Sequence, residues 1–238
     1  MLRAAALALC LAALPAGANE AQIRKVLEQK LQGVQIEGIA PAPVPGLWEV
    51  RYRTARGVQI LYSNASASHV IEGRIVELRT ERDLTEERLR KLNAIRFDSL
   101  PLEQAVKIQR GNGKRVLAMF SDPYCPACKQ FEQTLQQIDN ITIYVFMYPV
   151  IRPELADHSK AVWCSPDRSK AWLDLALRGQ RPTSGIACET PVEKNVEFGQ
   201  GLGVNSTPTL IFANGERVAG GLRTPDLQQL LDKTAAAR

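Results

Sequence analysis

The chain has no long hydrophobic run beyond its first residues. No stretch of about 18 apolar residues follows residue 18, so no transmembrane helix is expected in the mature protein. It also has no basic block interleaved with aromatics. The formal net charge is +5, but acids and bases alternate, as in Glu81-Arg82-Asp83 and Glu86-Glu87-Arg88. That pattern describes a solvated mixed surface and argues against nucleic acid as a partner. Histidine is scarce: His69 and His158 stand alone and read as surface or satisfied side chains, not metal ligands. No repeat or low-complexity tract occurs. Cysteine is scarce too, with five in 238 residues, and none lies between residues 19 and 80.

What is present begins with a leader. Arg3 precedes the apolar run Ala4–Leu14; Pro15 breaks that run, and Ala16-Gly17-Ala18 forms a small-x-small cleavage site. Residues 1–18 therefore read as a secretory signal peptide, which implies an oxidising compartment. Cys10 leaves with it, and Leu9 is too large for a typical lipid-attachment site. Cys125, Cys128, Cys164 and Cys188 remain.

With 45% hydrophobic and 23% charged residues, the rest of the chain suits one large domain or two modest ones. Residues 19–80 form a β-rich block. Short strands are expected over 34–39, 47–53, 57–62 and 69–78, after a helix over 21–31 with Ile23, Val26, Leu27 and Leu31 on one face. A block this small is marginal alone. It is therefore expected to pair with a second copy, with the strand over 69–78 as the exposed edge. Residues 81–97 read as a linker, helical over 85–97. From residue 98 the pattern is α/β. Strands are expected over 105–109, 116–121 and 141–150, helices from about 125 to 138, 154 to 178 and 192 to 202, and a hairpin around Asn214-Gly215. Thr224-Pro225 then starts a last helix.

Cys125-Pro126-Ala127-Cys128 sits at a strand-to-helix junction. Unpaired N–H groups and the positive end of the helix dipole favour a thiolate there, which makes Cys125 the attacking thiol. Cys128, one turn on and deeper, is then the resolving thiol. A structural disulfide is a weaker reading, because so small a ring removes little chain entropy. A four-cysteine zinc site is weaker too, because Cys164 and Cys188 do not form a second close knuckle. Thr207-Pro208, just before an apolar strand, suits a cis bond that shelves substrate beside the cysteines.

The segment from Phe120 through Cys125-Pro126-Ala127-Cys128 to Phe131, with Thr207-Pro208, resembles the DsbC/DsbG family of periplasmic disulfide isomerases. Ala42–Gly46 and His69–Gly73 resemble that family's dimerisation domain. The resemblance implies an α+β, cystatin-like dimerisation domain, a linker helix, and an α/β thioredoxin-fold domain over residues 98–238 with a helical insertion. It implies a homodimer, a cis peptide at Pro208, substrate contacts from Thr207 and Pro208, misoxidised exported proteins as substrates, and a membrane reductant of the DsbD type. No cofactor, metal or stable membrane insertion is implied. Cys164 and Cys188 bracket much of the insertion and read as a structural disulfide worth roughly 3 kcal/mol in the chain-entropy model; a second redox pair is the sharper alternative. DsbC-like proteins have such a pair and DsbG-like ones generally lack it.

The departures are specific. The motif carries Pro-Ala between its cysteines and no His. Met119 stands where thioredoxin has a buried acid, so no proton relay of that kind is expected. Trp48, Trp163 and Trp172 read as packing residues, with a cleft-facing role the alternative for Trp48. A DsbG-like reductase of single oxidised cysteines and a chaperone-type binding module are the competing functions.

Overall fold

A computed structural model describes residues 16–31, 33–54 and 57–235. The expected signal peptide therefore lies almost wholly outside the described residues. The chain divides into two compact units, the first ending at Leu89 and the second beginning at Arg90.

The first unit is α+β. Helix α1 (Ala16–Lys30) precedes β1 (Gln35–Pro41), β2 (Leu47–Thr54) and β3 (Gly57–Asn64), with a short β4 (Val70–Ile71). The sheet order is β1-β2-β3-β4, antiparallel throughout. Ile23 and Leu27, one helical turn apart, are buried against Ile39, Val50 and Leu61, with Val26 and Leu31 at the edge of the same cluster. This is the face the sequence pattern marks. Trp48 belongs to this core, so its side chain packs rather than lining a cleft.

The strand expected over 69–78 is broken. Only Val70–Ile71 pairs with β3; the chain then bends around Gly73, and β5 (Val76–Glu77) pairs with β6 (Arg82–Asp83). Thr85 explains the bend: its buried hydroxyl accepts from the Ile75 amide at 2.9 Å and meets the Tyr62 hydroxyl at 2.5 Å, pulling the segment off the β3 edge. Helix α2 spans Leu84–Leu92, with Asp83 accepting from the Glu86 amide at its start. It is shorter than the predicted 85–97, so residues 81–97 are helical only in their middle. The Ile95 amide bonds to the Gly215 carbonyl at 2.9 Å, and Phe97–Ser99 is a 3₁₀ turn.

The second unit is an α/β sandwich. Its strands are β7 (Val106–Arg110), β8 (Arg115–Ser121), β9 (Ile141–Met147), β10 (Thr209–Phe212) and β11 (Arg217–Ala219). The sheet order is β11-β10-β8-β9-β7, with β8 and β9 parallel and the other pairs antiparallel. Helices are α3 (Pro126–Leu135), α4 (Ala156–Trp163), α5 (Arg168–Arg178), α6 (Val192–Gly201) and α7 (Thr224–Ala235). Alternate residues of the central strands face opposite ways. Leu117, Met119, Ile143 and Val145 join α3, α5 and α7 in one core, while Ala118, Phe120 and Phe146 join Phe97, Leu100 and the α6 side chains in the other. Burial on both faces is why β8 and β9 read as nearly unbroken apolar runs.

The helix predicted over 154–178 is two helices. Pro166 interrupts it, and Asp167 caps α5 by accepting from the Lys170 amide at 2.9 Å. With α6 these helices form the insertion between β9 and β10. The strand predicted to run to Val150 stops at Met147. The Tyr148 amide still bonds to Ser121, but the Ile151 amide turns to the Asp122 carboxylate.

Candidate active site

The loop between β8 and α3 is organised by Asp122. Its carboxylate is buried and accepts from the amides of Tyr124 and Ile151, each at 2.7 Å. Its carbonyl accepts from the Cys125 amide at 3.2 Å. The turn delivers Cys125 to the N-cap of α3 in an extended conformation, with Pro126 at N1, where its missing N–H leaves no helical bond unmade. In the sequence Asp122 is marked only as a lone acid at the end of an apolar strand.

Cys125 and Cys128 are free thiols and both are buried, to 6% and 2% exposure. The Cys125 thiol donates to the Thr207 carbonyl at 3.3 Å. The Thr207–Pro208 bond is cis. Pairing of Thr209 with Phe120 sets the Thr207-Pro208 shelf beside the end of β8. Cys128 lies on the first turn of α3. Burial pushes its thiol up to about 12, and the neighbouring Ser121 side chain, the Asp122 backbone and the Thr207 side chain act in the opposite direction. Thr207 therefore divides its groups: the carbonyl faces Cys125 and the hydroxyl faces inward. Pro208 is buried, and its carbonyl accepts from the Gly220 amide at 2.7 Å.

Two further contacts were not visible in the sequence. The Tyr124 hydroxyl and His158 Nδ1 of α4 are hydrogen-bonded, so the histidine read as isolated meets the residue next to Cys125. Burial raises the Tyr124 phenol. On α3, Glu132 is fully buried and accepts from Trp172 Nε1 of α5 at 2.6 Å. Burial pushes its carboxyl up to about 7, against the Trp172 bond and the Arg110 charge. Met119 is buried in the core, while Glu132 is a buried acid on the adjoining helix α3. Neither contact had a local signal, since the partners are 34 and 40 residues apart.

The remaining cysteines are joined. Cys164, at the C-cap of α4, is disulfide-bonded to Cys188 in the loop between α5 and α6, with Cα atoms 5.7 Å apart. Trp163 packs under the Arg168 guanidinium, 3.7 Å from its ring centre. His69 bonds to the neighbouring Ser68 hydroxyl. Among the described residues no group of three His, Cys, Asp or Glu side chains is placed to hold a metal. No helix of the described residues is long and apolar enough to cross a membrane.

A vicinal thiol pair at a helix start, beside a cis-proline shelf on a mixed five-stranded sheet, defines a thioredoxin-fold thiol–disulfide protein. Residues 102–235 match the family of thioredoxin-like domains, and residues 14–86 match the N-terminal domain of disulfide bond isomerase proteins. The chain is 38% identical over 209 residues to the probable thiol:disulfide interchange protein DsbC of Bordetella parapertussis, covering 88% of this chain and 73% of that one. It is 24% identical over 226 residues to the thiol:disulfide interchange protein DsbC of Escherichia coli, covering 92% and 89%. A crystal structure of a disulfide interchange protein from Neisseria gonorrhoeae aligns with a TM-score of 0.55 at 39% identity, over 57% of this chain and 99% of that one. The chain belongs to the DsbC family of thiol:disulfide interchange proteins.

Proposed function

We propose that Cys125 and Cys128 carry the interchange chemistry and that its main outcome is isomerisation of wrong disulfides in exported proteins. The observation that carries this reading is the position of the two sulfurs. Cys125 caps α3 against the Thr207 carbonyl, and Cys128 is one turn deeper, held as a thiol by burial.

The Cys125 thiolate attacks one sulfur of a substrate disulfide. A Cys125–substrate disulfide forms, and the other substrate sulfur leaves as a thiolate. Thr207 and Pro208 hold the substrate backbone beside the sulfurs. A second substrate thiolate then attacks the mixed disulfide, freeing Cys125 and leaving a rearranged substrate with no net redox change. If none arrives, Cys128 loses its proton and attacks Cys125 instead, releasing reduced substrate and an oxidised enzyme pair. Because burial disfavours the Cys128 thiolate, this exit is slow, and the substrate has time to rearrange.

The pair must be returned to dithiol after each such exit, and the family resemblance supports a membrane reductant of the DsbD type. The leader over 1–18 supports a periplasmic location. A homodimer through the first unit is supported by the short, exposed β4 edge, where Val70 and Ile71 are 46% and 52% exposed. The Cys164–Cys188 bond supports a DsbC-like rather than a DsbG-like member, and a structural role for that pair. The test is covalent trapping. The Cys128→Ser protein should accumulate a mixed disulfide with a misoxidised substrate, seen as a reducible adduct by mass spectrometry at the Cys125 peptide. An adduct at another cysteine, or none, overturns the assignment.

A further inference from the structure

Ser121 is the last residue of β8 and is completely buried, three residues short of the loop tyrosine. Its carbonyl is used, accepting from the Tyr148 amide at 2.9 Å, but its hydroxyl has no conventional hydrogen-bond partner. A buried hydroxyl without a partner is costly and calls for an explanation. The Thr207 hydroxyl, on the shelf that β10 sets beside β8, is buried and unpartnered in the same way. Both hydroxyls act on the Cys128 thiol, one turn along α3 from Cys125, and Ser121 acts on it more strongly than Thr207. A protonated thiol is a weak acceptor, whereas a thiolate is a strong one, so the two hydroxyls gain a full partner only when Cys128 ionises.

We infer that the Ser121 hydroxyl donates to the Cys128 thiolate and thereby sets how often a captured substrate leaves by reduction rather than by rearrangement. This rests on the assignment of Cys125 and Cys128 above and deepens it. In the release step, the Cys128 proton goes to solvent and the thiolate attacks Cys125 Sγ. The Cys125–Cys128 bond forms as the Cys125–substrate bond breaks. The electron pair leaves on the substrate sulfur, which takes up a proton. The substrate is reduced and the enzyme pair oxidised. Ser121 supplies no proton and no electrons; it holds the charge on the sulfur before bond formation. Removing its hydroxyl lowers the thiolate fraction at a given pH, slows release relative to capture, and lengthens the interval in which a substrate thiol can act first.

The experiment measures capture and release in the full-length protein by rapid acid quench, using a peptide with one disulfide and no further thiol, across pH 6–10. Ser121→Ala should release roughly tenfold more slowly than wild type at neutral pH, in line with a hydrogen bond to a charged group, and its release-versus-pH curve should move to higher pH. Ser121→Thr and Ser121→Val add the same volume, and only the first keeps the hydroxyl. Threonine should restore release and the pH profile, and valine should not. Equal behaviour of Thr and Val, or an Ala variant with wild-type release and pH profile, overturns the inference while leaving the Cys125 and Cys128 roles intact. Absence of capture by wild-type Cys125 overturns both.

Discussion

The Cys125 thiol and the Thr207 carbonyl lie 3.3 Å apart across 82 residues of chain. The helix start and the cis-proline shelf thus meet at one sulfur, while the second, on α3, is only 2% exposed. Different chemistry is expected of the two cysteines.

Cys128 should resist alkylation. With its thiol pushed up to about 12 by burial, almost none is thiolate near pH 8. Iodoacetamide applied to the reduced native protein at pH 8 should label Cys125 first, with Cys128 protected until denaturant is added. Peptide mapping at timed quenches checks this; labelling of Cys128 ahead of Cys125 in the folded protein would reverse the assigned roles.

Glu132 should make the catalytic unit less stable as pH rises from acid to neutral. Its folded value of about 7 lies above the 4.5 of an exposed carboxyl. The unfolded chain therefore loses its proton first, and the stabilisation present below pH 4.5 is lost as pH rises through 7. The loss is about 3 kcal/mol. Glu132→Gln keeps an acceptor for Trp172 Nε1. It should flatten the stability profile between pH 4.5 and 7, measured by urea denaturation at each pH.

The Cys164–Cys188 bond closes a loop with a sequence separation of 24. Replacing both cysteines with serine should cost roughly 3 kcal/mol while leaving capture by Cys125 in place. A denaturant midpoint equal to wild type would show that the bond is not a staple, and a loss of capture would point to the second-redox-pair reading.

Thr85 holds the first unit at the point where the predicted strand fails. Thr85→Val keeps the volume but strands the Ile75 amide and the buried Tyr62 hydroxyl. The expected loss is about 1–3 kcal/mol in that unit's unfolding transition.

The sequence was most legible where one residue's chemistry decides the local structure. Asn214-Gly215 marks its hairpin, with the Gly215 amide bonding to Phe212 at 2.8 Å and Gly215 in the left-handed region. Cys125-Pro126 marks the start of α3, and Ile23 and Leu27 mark the buried face of α1. Legibility failed where two signals compete. The apolar pattern of residues 69–78 suits a strand, but Gly73 and the Thr85 hydroxyl bend it; the periodicity of residues 154–178 continues through Pro166, which breaks it. In the candidate site, the juxtaposition of Cys125 with Thr207 and the cis Pro208 follows motifs that carry chemistry on their face. Ser121, Asp122, Glu132 and His158 were not legible, because each acts through a partner that only the fold supplies.

Isomerisation through Cys125 is tested by refolding a scrambled multi-disulfide protein in glutathione buffer with wild type, Cys125→Ser and Cys128→Ser. Recovery of native substrate activity that vanishes without Cys125 and survives in part without Cys128 is the predicted result, because rearrangement needs only the first sulfur. Recovery that is unchanged by Cys125→Ser would contradict the account.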